Sequence, residues 1–73
     1  MKVFILKDMS KEAPYKEGSL AWHTWIDITT IGHDVGTVVL LSTLDSILGC
    51  TENEYPLDGL NQLIKDGWIE VKE

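Results

Sequence analysis

Apolar residues open the chain almost at once, and Lys2–Lys7 places Val3 and Ile5 on one side of an extended segment and Phe4 and Leu6 on the other. A strand that is apolar on both sides is expected at the centre of a sheet, covered twice. Asp8–Gly18 has mixed charges, Pro14 and Gly18 and no apolar period, so residues 8–19 are expected to form an exposed loop. Leu20–Ile31 is rich in Trp, Ile and Thr. Its even positions, Trp22, Thr24, Ile26 and Ile28, alternate with His23, Trp25, Asp27 and Thr29, which predicts a strand with the Trp22 side inward.

Gly32-His33-Asp34-Val35-Gly36 predicts a turn, and Thr37–Leu41 a second β-branched strand. Ser42 and Asp45 have capping-box spacing, which predicts a short helix to about Leu48, stopped at Gly49. A competing pattern is one helix over Asp34–Leu48, because Leu40, Leu41, Leu44, Ile47 and Leu48 also recur at helical spacing. Residues 50–55 predict an acidic loop. Pro56 suits the first turn of a second helix carrying Leu57, Leu60, Leu63 and Ile64, with Asp58 and Lys65 at the ends that the helix dipole favours. Gly67 ends it, and Trp68–Lys72 alternates as a last strand with Ile69 and Val71 on one side. The expected architecture is one α+β domain over residues 1–73, with about four mostly antiparallel strands and two short helices on one face of the sheet. The uncovered face then presents Trp25 and Trp68, and a patch of that kind is expected at an interface between two copies.

Composition supports folding, with 44% hydrophobic and 25% charged residues. A chain of 73 residues has a small core, and its single cysteine leaves no internal disulfide to support it. Self-association as a homodimer is the remaining support. No apolar run approaches the length of a membrane span, and the first residues are too short for a signal peptide, so the expected location is the cytoplasm.

The net charge of −6 is unevenly placed. Up to His33 the four lysines cancel Asp8, Glu12, Glu17 and Asp27, while residues 34–73 hold eight carboxylates against Lys65 and Lys72. Such a field repels nucleic acid and anionic lipid and attracts basic protein surfaces.

Catalytic and metal constellations are missing from the pattern. His23, His33, Asp34 and Cys50 match no zinc spacing, and Cys50 follows a helix C-terminus and precedes Glu52 and Glu54, a setting that opposes the thiolate. No glycine loop of phosphate-binding type occurs. Neither a catalytic residue, a metal nor a cofactor is therefore expected.

Tyr55–Glu73, with Leu60, Leu63-Ile64, Gly67 and Trp68-Ile69, resembles the last helix and first wing strand of winged-helix proteins. The expected recognition helix has Asp58, Asn61, Gln62 and Lys65 where binding to DNA requires arginine or lysine, so the resemblance implies a protein-binding module. The leading expectation is a non-enzymatic inhibitor-like protein of the sort phages encode, whose Asp45, Glu52, Glu54, Asp58, Asp66 and Glu70 imitate DNA phosphates. Its partner would be a basic protein that ordinarily holds nucleic acid.

Overall fold

A computed structural model describes residues 1–50 and 54–73. The elements run β1 (Lys2–Ile5), α1 (Leu20–Ile31), β2 (Val38–Leu40), α2 (Leu41–Leu48), α3 (Leu57–Lys65) and β3 (Ile69–Lys72). The domain is α+β, with a three-stranded antiparallel sheet in the order β2-β1-β3 and three helices, in place of four strands and two helices.

Strand β1 is central as expected, but only one of its apolar sides is covered: Val3 and Ile5 are buried, whereas Phe4 is half-exposed and Leu6 exposed. Its odd residues hydrogen-bond toward β2 and its even residues toward β3: Ile5 N–H donates to Thr37 O at 3.0 Å and Leu6 N–H to Trp68 O at 2.9 Å. Val3, Ile5, Val39 and Ile69 are buried on the side facing the helices. The other side shows Lys2, Phe4, Val38, Leu40, Glu70 and Lys72 exposed or half-exposed.

The main correction concerns Leu20–Ile31, which is a helix of 12 residues and not a strand. Its buried residues, Ala21, Thr24, Trp25 and Ile28, recur at i, i+3, i+4 and i+7, the spacing of one helical face. Ser19 caps it by accepting from Trp22 N–H at 3.2 Å. The threonines that favoured a strand are accommodated by back-bonding: Thr29 Oγ1 donates to Trp25 O at 2.8 Å and Thr30 Oγ1 to Ile26 O at 2.8 Å.

The second half follows the expected order more closely. Strand β2 passes into α2 without a linker, so the single helix over Asp34–Leu48 does not form, and Ser42 lies inside α2 while Leu40 takes the cap position without a side-chain bond. Gly49 closes α2 at φ 79°, a left-handed conformation that glycine adopts without a Cβ penalty.

Helices α1 and α3 cross closely at Gly59. A Cβ there would fall onto the Thr24 hydroxyl and lie 2.6 Å from the Leu20 carbonyl oxygen, so the crossing requires glycine. The loop of residues 8–19 is less free than its composition suggests. Met9 is 1% exposed, and Ala13 and Tyr15 pack against the core. No described helix is long and apolar enough to cross a membrane.

Candidate interaction surface

The structure separates the carboxylates that the sequence grouped. Asp45 is 3% exposed inside α2 and cannot present its charge to a partner. Glu52 lies outside the described residues. Glu54, Asp58 and Asp66 are exposed before and along α3, whereas Glu70 stands on the sheet side turned away from the helices. Asp58 and Asp66 sit eight positions apart at opposite ends of α3, about 12 Å by helical rise. A duplex would carry about seven phosphates over that length, so α3 is a moderate acidic surface and not a dense array.

Asp66 is the best positioned of the set. Its Oδ2 accepts from the Tyr15 hydroxyl at 2.7 Å and from Gln62 Nε2 at 3.0 Å. These donors, Gln62 first and then Tyr15, hold the carboxyl below its ordinary range. The same arrangement raises the Tyr15 hydroxyl above the tyrosine range, through burial first and then through the Asp66 bond. Tyr55 behaves alike: burial and a short hydrogen bond to Asp27 raise its hydroxyl, and this pair ties the start of α3 to α1.

The tryptophan expectation is corrected: Trp25 lies on the core-facing side of helix α1, where strand parity does not hold, and Trp68 sits in the turn that precedes β3. Trp25 is 2% exposed in the core, with Trp68 edge-on at a centroid distance of 4.9 Å and Tyr15 at 6.2 Å. Trp68 is half-buried, and Lys7 Nζ lies 5.3 Å from its ring centroid. Trp25 and Trp68 are therefore an internal aromatic cluster and not an outer dimer seam. Trp22, expected inside, is half-exposed and stands outside that cluster.

Trp22 and Ile26, one turn apart on α1, form a second apolar strip beside the core-facing one. With Ala13 and Tyr15 from the preceding loop they line a half-open cavity of about 430 Å³, whose remaining lining residues are Glu12 and Glu17. Sequence reasoning missed this site because it assigned residues 8–19 to free loop. The available signal was the surplus of apolar residues in Leu20–Ile31, more than one helical face can bury. Two aromatic side chains and two carboxylates around one cavity suit a cationic side chain, whose stem packs on the rings while its head meets the acids.

Two chemical candidates remain peripheral. Asp8, His33 and Asp34, all exposed, have ligand atoms within 4.8 Å of one another. The loop contact Met9 N–H to His33 O, at 2.9 Å, brings Asp8 to the turn. Asp8 already accepts from Ser10 N–H at 2.9 Å, and the Ser10 side chain first and then this N–H lower its carboxyl, while His33 Nδ1 lies 3.3 Å from Asp34 Oδ1. Cys50 is half-buried just beyond α2. No family model, curated protein or solved structure matches the chain.

Proposed function

We propose that this protein is a non-enzymatic interaction module that docks on a basic protein segment. The observation that carries the proposal is the Glu12–Tyr15–Glu17–Trp22 cavity, whose lining combines aromatic rings with carboxylates. An arginine or lysine side chain of the partner enters it, and the Tyr15 hydroxyl links its wall to Asp66, just past the end of α3. Further basic residues of the partner then meet Asp66, Asp58 and Glu54. The sequence net charge of −6 steers such a partner toward the surface. In the finer form of this proposal the partner's basic surface is one that holds nucleic acid, and the docked module blocks it.

A second description concerns the same surface. The resemblance of Tyr55–Glu73 to winged-helix proteins falls on α3 and β3, and the exposed positions of α3 include Asp58, Asn61 and Gln62 with Lys65 as its one cation. This composition favours protein over DNA as the ligand.

Titration of the isotopically labelled protein with a short arginine-glycine peptide tests the proposal by NMR. The Trp22 indole and Ile26 methyl signals should shift, and affinity should fall steeply with added salt. Glu12→Lys with Glu17→Lys should weaken binding at least tenfold, while Asp34→Lys, on a turn that lines no part of the cavity, should leave it within about twofold. Absence of shifts at Trp22, or equal loss in the Asp34 variant, would remove the cavity as the docking site. Duplex DNA competing with the module for a captured partner would establish the blocking form.

A further inference from the structure

The sheet ends on two unlike edges. Strand β2 has three residues and runs directly into α2, so little of its edge can pair. Strand β3 has four residues, and its backbone orientation follows from its bonding to β1. Leu6 N–H donates to Trp68 O at 2.9 Å in the Ile5↔Ile69, Phe4↔Glu70 register, so even residues of β3 point at β1 and the N–H and C=O groups of Ile69 and Val71 point outward. Among the described residues no donor or acceptor is directed at those outward groups.

We propose that this edge pairs antiparallel with the β3 edge of a second copy, across a two-fold axis through Val71, and joins the two sheets into one. The charges select the register. A symmetric ladder must set outward-pointing residues against each other, which leaves Val71 opposite Val71 of the second copy, or a shift of two residues either way. With Val71 at the axis, Glu70 lies opposite Lys72 of the second copy and Lys72 opposite its Glu70. One shift sets Glu70 against Glu70, and the other sets Lys72 against Lys72, so both place like charges directly opposite. The side chains on the open side of the sheet are available for this exchange: Glu70 and Lys72 are 49% and 60% exposed and already lie 3.6 Å apart within one chain. In the pair they form a ring of alternating charge on the open side of the sheet. On the side facing the helices, half-buried Val71 meets its counterpart and loses its remaining contact with water.

The proposal is independent of the docking cavity, and reciprocal charge reversal tests it by sedimentation velocity over a range of concentrations. The unmodified chain should form a dimer. Glu70→Lys and Lys72→Glu, each creating two like-charge pairs across the axis, should each weaken self-association on the order of tenfold. An equimolar mixture of these two variants should associate more tightly than either alone, because opposite charges then face each other at both positions, and the double variant Glu70→Lys/Lys72→Glu should recover the original dimer. Val71→Pro removes an outward N–H without touching the β1 ladder, so it should give a folded monomer by circular dichroism. Glu12→Lys should leave association unchanged, which separates a failure here from a failure of the cavity proposal. A monomer at millimolar concentration, or single variants that self-associate like the unmodified chain with no preference in the mixture, would overturn it.

Discussion

Helices α1 and α3 pack against each other at Gly59, yet their sequences segregate apolar residues to different degrees. Helix α3 is strongly amphipathic, burying Gly59, Leu60 and Leu63 and leaving Asp58, Asn61, Gln62 and Lys65 in water, although Leu57 and Ile64 at the border of its apolar face, expected with the buried leucines, are exposed as well. Helix α1 is only weakly so. It buries Ala21, Thr24, Trp25 and Ile28, but also carries Trp22 and Ile26 on a strip that the core does not use. A helix needs one apolar face to fold onto a domain, and apolar side chains beyond that face need another cause. The contrast separates residues that α1 spends on folding from residues available for binding.

The comparison breaks most sharply at Trp25. Trp25→Ala removes a buried ring that contacts Trp68 and Tyr15, and should cost about 3–5 kcal/mol. A domain of this size has a total stability of roughly 4–11 kcal/mol, so urea melts should show the variant close to unfolded. A loss below about 1 kcal/mol would mean that the core-facing strip of α1 has been misassigned.

Gly59 tests the crossing itself, with a somewhat smaller effect. In a solvent-exposed helix Gly→Ala stabilises by about 1 kcal/mol. Here the added Cβ meets the Thr24 hydroxyl and the Leu20 carbonyl oxygen at 2.6 Å, and backbone cannot rotate away. Gly59→Ala should therefore destabilise by about 1–3 kcal/mol, the reverse of the propensity effect. Thr24→Ala in the same chain should recover only part, since the Leu20 carbonyl remains. A stabilising Gly59→Ala would show that the helices stand farther apart.

The sign of that effect also explains what the sequence could and could not disclose. Strand β1, the helix after Pro56 and the strand after Gly67 were legible because each has a clear period and local stop signals. Helix α1 was not, because its two apolar strips interleave. Trp22 and Ile26 from one strip and Thr24 and Ile28 from the other fall on consecutive even positions, which imitates the two-residue period of a strand. Contact with α3 settles the alternatives, and it depends on Gly59, 35 residues from Thr24 and 39 from Leu20, a long-range pairing that no local window contains. The acidic surface was legible only as composition. Burial of Asp45 and the turning of Glu70 to the far side of the sheet are tertiary facts, and so is the folding of Glu12 and Tyr15 onto α1.

Trp22 carries the smallest expected effect on stability and the most direct test of the contrast. Its ring is half-exposed, makes an edge contact with His23 at a centroid distance of 5.0 Å, and lines the cavity without entering the core cluster. Removing it forfeits only part of a buried ring's transfer free energy, and alanine is the better helix former. Trp22→Ala should therefore change stability by about 1 kcal/mol or less, against several for the same substitution three residues later. Binding of the arginine-glycine peptide should nevertheless fall at least tenfold, because tryptophan offers the strongest aromatic face for a cation. Trp22→Phe should keep part of the affinity, since a smaller ring still stacks. If Trp22→Ala instead costs as much stability as Trp25→Ala, both strips of α1 serve the core and the surplus that points to docking disappears. If it costs little and binding is unchanged, the strip is surplus but the cavity is not where the cation sits.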